Sequence, residues 1–138
     1  MALQDYKIAL VTGASSGIGA ATVRLLAARG LTVHAVARRQ ERLEALSSQK
    51  GTGGDVIPHA VDMRDRVAVY EVFGGLEVDI LINSAGIGSR FEPFHELDPD
   101  NIDATLETNV SGTLHAARAV APGMVARGRG HIVNIGSI

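Results

Sequence analysis

The stretch Lys7-Ile8-Ala9-Leu10-Val11-Thr12-Gly13-Ala14-Ser15-Ser16-Gly17-Ile18-Gly19 decides how the rest of the chain is read. Its first part is apolar and β-branched, and predicts a buried parallel strand over about 7–12. Ala20 to Arg29, rich in Ala and Leu, carries the prediction of a helix over about 17–29. A strand, a glycine turn and a helix in that order make an anion site. The helix start leaves backbone N–H groups without partners at the positive end of the dipole, and glycine lets a phosphate approach with no Cβ in the way. Gly13, Gly17 and Gly19 are spaced G-x-x-x-G-x-G, not G-x-G-x-x-G, and the absence of a following Gly-Lys-Ser/Thr excludes a P-loop. The plainer alternative is an ordinary glycine-rich turn; the flanking strand and helix favour the phosphate site.

Working outward, Ile18, Ala21, Leu25 and Ala28 follow helical spacing and are expected to face the sheet, with Gly30 as a left-handed cap after Arg29. Leu31 to Ala37 predicts the second strand. Where that strand ends, a site for NAD commonly places an acid against the ribose 2′-hydroxyl. Here stand Arg38 and Arg39, and a guanidinium pairs with a 2′-phosphate, which points to NADP. The alternative is that both arginines merely begin an exposed helix over Gln40 to Gln49. Lys50 to Gly54 reads as a loop, Asp55 to Val61 as the third strand, and a short helix runs from near Arg64 to about Phe73. Asp62 ends the third strand, where open α/β sheets place ligand contacts; alone it could equally cap the helix that follows. Asp79 to Ile82 is a fourth strand running into Asn83-Ser84-Ala85-Gly86. After a loop over Ile87 to Leu97, Asp98 as N-cap and Pro99 in the first turn open a long helix over about 99–126. Ile102, Leu106, Asn109 and Thr113 share one face of it, which is expected to be packed, and spacing alone reads Asn109 as satisfied by neighbouring backbone. Gly130 to Ile135 is the fifth strand.

Bulk properties narrow the classes. The 138 residues carry a net charge of −2, no cysteine and five histidines without metal-ligand spacing. There is no basic footprint for nucleic acid and no run long enough for a membrane span. One domain at most is expected, in a cytoplasmic protein.

Thr12–Gly19, Asp62 and Asn83-Ser84-Ala85-Gly86 together resemble the short-chain dehydrogenase/reductase family, of its larger, classical type, along the whole 138 residues. The family's usual fourth-strand form is Asn-Asn-Ala-Gly, so Ser84 departs from it. The resemblance implies a Rossmann-like doubly wound α/β fold with a parallel sheet ordered 3-2-1-4-5, and a dinucleotide-binding domain over 1–138. It implies that Gly13, Ser15, Ser16, Gly17, Ile18 and Gly19 hold the pyrophosphate and that Asp62, with Met63 after it, meets the adenine. Asn83, Ala85 and Gly86 would steady the sheet beside the adenosine ribose, and Arg38, with Arg39, would mark an NADP user. Thr108-Asn109-Val110-x-Gly112 resembles the stretch whose Asn kinks its helix and joins the catalytic tetrad. Ser137 matches the serine that bonds the substrate oxygen. The activity implied is alcohol–carbonyl interconversion by hydride transfer with NADPH, on a small molecule, by a homo-oligomer (dimer or tetramer).

The family's Tyr-x-x-x-Lys pair does not occur. The only tyrosines, Tyr6 and Tyr70, are followed four residues on by Leu10 and Gly74. The C-terminal part of the fold is therefore expected to be missing, with strand five left as an unpaired apolar edge. The rival reading of the chain is a nucleotide-binding module without catalysis, acting as a sensor or partner-binding protein.

Overall fold

The computed structural model of the protein describes residues 3–49, 53–88 and 92–137; Lys50, Gly51 and Thr52 of the expected loop, part of the 87–97 loop, and Ile138 lie outside them. Strands β1 (Ile8–Thr12), β2 (Thr32–Ala37), β3 (Val56–Ala60), β4 (Ile80–Asn83) and β5 (His131–Asn134) form one parallel sheet in the order β3-β2-β1-β4-β5. Register pairs Leu10 with His34 on one side and with Leu81 on the other. Helices α1 (Gly17–Ala28), α2 (Gln40–Ser47), α3 (Arg66–Phe73), α4 (Pro99–Leu106) and α5 (Thr113–Arg127) make the connections.

Side chains alternate across each strand, and over β1, β2 and β4 both faces are covered, which is why these strands read as continuous apolar runs. Ala9, Val11, Val33 and Ala35 pack on one face with Val23 and Leu26 of α1 and Leu43 and Leu46 of α2. Leu10, Val36 and Leu81 pack on the other with Val69 and Phe73 of α3 and Ala116, Val120 and Met124 of α5.

The expected inward stripe of α1 is wrong in phase. Ile18, Ala21, Leu25 and Ala28 are exposed, Ile18 by 60% and Leu25 by 51%; Gly19, Ala20, Val23 and Leu26 face the sheet instead. A Cβ on Gly19 would overlap the Gly13 carbonyl oxygen, so the glycine loop turns that side of the helix inward and Val23 and Leu26 follow at helical spacing. The cap after Arg29 is as expected. Gly30 has φ +89°, its N–H donates to the Ala27 carbonyl, and Leu31 N–H donates to that of Leu26, which is a Schellman ending.

Two further expectations are corrected. The helix after β3 starts at Arg66, not near Arg64, and its cap is Asp65, which accepts from the Ala68 N–H at 3.0 Å; Asp62 does not cap it. The helix over 99–126 is not one α-helix: α4 ends at Leu106, a wider π turn spans Glu107–Gly112, and α5 follows. A π turn takes up extra residues, so the two α-helical parts do not share one phase. Ile102, Leu106 and Asn109 are exposed, not packed. β5 lies at an edge of the described sheet, paired with β4, with Ile132 partly exposed.

The N-terminal ends of β1, β4 and β5 are locked by one buried carboxylate. Asp79 accepts from Lys7 N–H (2.8 Å), Ile8 N–H (3.1 Å) and Arg129 Nη2 (2.8 Å). Burial works to raise its pKa, but the two backbone N–H groups and Arg129 prevail and hold it below the ordinary carboxylate value. No helix among the described residues is long and apolar enough to cross a membrane.

Candidate functional site

Because β1 is flanked by β2 and β4, the chain leaves the sheet's centre in opposite directions after β1 and β4, and a crevice opens between at the strands' C-terminal ends. A cleft of about 330 Å³ lies there. Of the residues expected to bind a cofactor, Gly13, Ser15, Ser16, Gly17, Ile18, Arg38, Arg39, Asp62, Met63, Ala85 and Gly86 line it. Gly19 and Asn83 do not; both are buried beneath it.

The floor is built by close backbone approach. Gly13, at φ +67°, leaves room where a Cβ would come within 2.7 Å of Ser84 O and Ala85 N. Thr12, almost fully buried, accepts through Oγ1 from Ser84 N–H (3.2 Å) and Ala85 N–H (3.1 Å), binding the glycine loop's root to the turn after β4. Asn83 Nδ2 donates to Asn134 Oδ1 at 3.0 Å, tying the C-terminal ends of β4 and β5. Ser16 stands at the N-cap of α1 in extended backbone, its hydroxyl making no capping bond, and the first turn carries no acid. The helix start is therefore open to an anion from outside.

At the far rim the Asp62 carboxylate is held by Arg64, with Nη2 to Oδ2 at 2.8 Å. The Arg64 side chain is the main cause that keeps its pKa below the usual carboxylate range, with a smaller contribution from the Arg38 charge. Asn109, on the π turn, makes a two-point contact with the Ile87 backbone: Nδ2 donates to Ile87 O at 2.8 Å, and Oδ1 accepts from Ile87 N–H at 2.8 Å. The partner is not backbone of its own helix but a residue 22 positions away in the chain, and the contact fixes a cleft-lining residue. Ser137 is exposed, two residues beyond Ile135, which lines the cleft.

Sequence reasoning missed Ala37, Val61, Ser84, Thr108 and Ile135 as lining residues. Ala37, Val61, Ser84 and Thr108 each adjoin a residue that was found, and Ile135 ends the expected fifth strand, so nearness to those positions was the available signal. Tyr6 is buried against His131, and Tyr70 pairs with His115 between α3 and α5. His34 and His59 share a 2.8 Å hydrogen bond across β2 and β3; among the described residues no group of three or more His, Cys, Asp or Glu could hold a metal.

The family model described as short chain dehydrogenase matches residues 7–138. The chain belongs to that family. Among curated relatives it is 40% identical over 135 residues to the NADP-dependent 3-hydroxy acid dehydrogenase of Salmonella typhi, covering 94% of this chain and 54% of that protein. A metagenomic short-chain oxidoreductase solved in complex with NADP superposes with a TM-score of 0.91 at 38% identity, over 96% of this chain and 62% of the other. A short-chain dehydrogenase from Sphingobium yanoikuyae in complex with NADPH gives 0.90 at 36%, over 96% and 54%. The chain thus spans about half the length of the curated relatives it matches. The glycine loop, the Asn83–Gly86 turn and the sheet order are those of a Rossmann-like fold.

Proposed function

We propose that the protein is an NADP-dependent oxidoreductase that interconverts an alcohol and a carbonyl on a small molecule. On this reading residues 1–138 form the dinucleotide-binding part of one Rossmann-like domain. The observation that carries it is the cleft itself: an acid-free helix start beside a glycine-rich loop at one end, Arg38 and Arg39 at the other. Gly17, at φ +53° with nothing within 4 Å of an added Cβ, lines the cleft and fits the close approach of a pyrophosphate. The relatives' names support the same cofactor.

In this reading the N–H groups at the start of α1 and the Ser15–Gly19 loop bind the pyrophosphate. Asp62 and Met63 meet the adenine, Ala85 and Gly86 flank the ribose with Asn83 bracing them from below, and Arg38 and Arg39 take the 2′-phosphate. The bound nicotinamide supplies or accepts the hydride. Asn109 keeps Ile87 in place at the cleft, and the Ser137 hydroxyl donates to the substrate oxygen. Self-association into a dimer or tetramer belongs to the same reading, supported by the exposed side chains of Ile102, Leu106, Val110 and Leu114 at four-residue intervals.

Titration with NADPH and NADH tests the cofactor. The Arg38→Asp variant should lose NADPH affinity by at least about tenfold while NADH changes little. Equal losses for both would overturn the assignment.

A further inference from the structure

The rim formed by the ends of β2 and β3 holds opposed charges. Arg38 and Arg39 line the cleft, and so does Asp62, near enough for the Arg38 charge to act on it. An ionised carboxylate beside a guanidinium offsets part of its field and repels an incoming phosphate. Left alone, Asp62 would work against a 2′-phosphate at this place.

Asp62 is not left alone. A turn closed by Asp65 N–H donating to Asp62 O folds Arg64 back over the carboxylate. Four hydrogen bonds then reach Asp62 from this one residue. Its backbone N–H donates to Oδ1 at 3.0 Å, Nε reaches Oδ1 and Oδ2 at 3.2 and 3.3 Å, and Nη2 reaches Oδ2 at 2.8 Å. Arg64 is not among the residues lining the cleft. Its second electrostatic neighbour is Glu107 at the start of the π turn. Without Arg64, the Asp62 carboxylate would draw on the charge of Arg38, leaving less of it for a dianionic phosphate.

We propose that Arg64 is a specificity-determining residue for a 2′-phosphorylated dinucleotide, acting through Asp62 without touching the ligand. By neutralising Asp62, it leaves the charge of Arg38 and Arg39 free for the phosphate. The inference rests on the NADP reading above and names a residue that reading does not use.

The readout is the ratio of the NADH to the NADPH dissociation constant, measured by nucleotide fluorescence at low ionic strength. It isolates the 2′-phosphate, because the two probes differ in nothing else. Arg64→Gln should lower the ratio on the order of fivefold, through NADPH alone. Adding Asp62→Asn to Arg64→Gln should restore the ratio even though both nucleotides bind more weakly, and Arg64→Lys should keep it. A purely structural role for Arg64 predicts otherwise: both nucleotides weaken together, and the double variant recovers nothing. Either result overturns the proposal, as does an unchanged ratio in Arg64→Gln. A protein that shows no preference for NADPH before any substitution would instead overturn the NADP reading itself, and this inference with it.

Discussion

Gly13 and Gly17 offer a matched pair of substitutions. Both have positive φ, +67° and +53°, so alanine at either costs about 1–2 kcal/mol of backbone strain. Alanine also restricts the unfolded chain, which returns about 0.4–1 kcal/mol. At Gly17 nothing lies within 4 Å of the added Cβ, so the account ends there, at a net loss of about 1 kcal/mol or less. At Gly13 the Cβ would stand 2.7 Å from Ser84 O and Ala85 N, backbone atoms fixed by the Thr12 hydroxyl and unable to swing aside. Forcing them apart adds about 1–3 kcal/mol, as for overpacking in a core, giving a total of about 2–4 kcal/mol for Gly13→Ala. Urea unfolding followed by circular dichroism reads the difference. With a slope of about 2 kcal/mol per molar, the midpoint should fall by about 1–2 M for Gly13→Ala and by about 0.5 M or less for Gly17→Ala. Equal shifts would refute the argument that approach of the β4 turn, rather than backbone conformation alone, dictates glycine at position 13.

Three other outcomes can be checked. Asp79 is held below the ordinary carboxylate value, so its contribution is present above that value and lost as pH falls through its folded pKa. Asp79→Asn should flatten the acid limb of a stability-against-pH curve, and an unchanged limb would remove Asp79 from its cause. For His34 and His59, burial lowers both pKa values, with the His59 charge a second cause for His34, so the folded protein binds fewer protons than the unfolded chain. Stability should therefore decline as pH falls below the ordinary histidine value of about 6.5, and replacing both rings by phenylalanine should abolish that decline in unfolding midpoints compared at pH 7.5 and 5.5. Finally, Asn109→Ala removes both bonds to the Ile87 backbone at an exposed site, and should cost about 1 kcal/mol in the same urea assay while raising amide hydrogen exchange at Ile87.

What the sequence determined by itself was the order of elements and the place of the site. Strands buried on both faces have no polar alternation to disguise them, so β1, β2 and β4 stand out as apolar runs. Glycines after β1, arginines after β2 and Asp62 after β3 fall at strand ends, and a parallel sheet gathers strand ends into one crevice. Eleven of the thirteen residues expected to bind a cofactor line it for that reason. What only the tertiary structure decided was rotation and pairing. An Ala- and Leu-rich helix is apolar on several sides, so the inward face of α1 was set by Gly19 against the Gly13 carbonyl, not by periodicity. The π turn at Glu107–Gly112 and the cap at Asp65 rather than Asp62 likewise followed from contacts distant or alternative in the chain. Arg64, bound to a carboxylate two residues away, could be paired only once the turn between them was seen. Sequence spacing carries positions along the chain; which partner a side chain turns to depends on the three-dimensional neighbours competing for it.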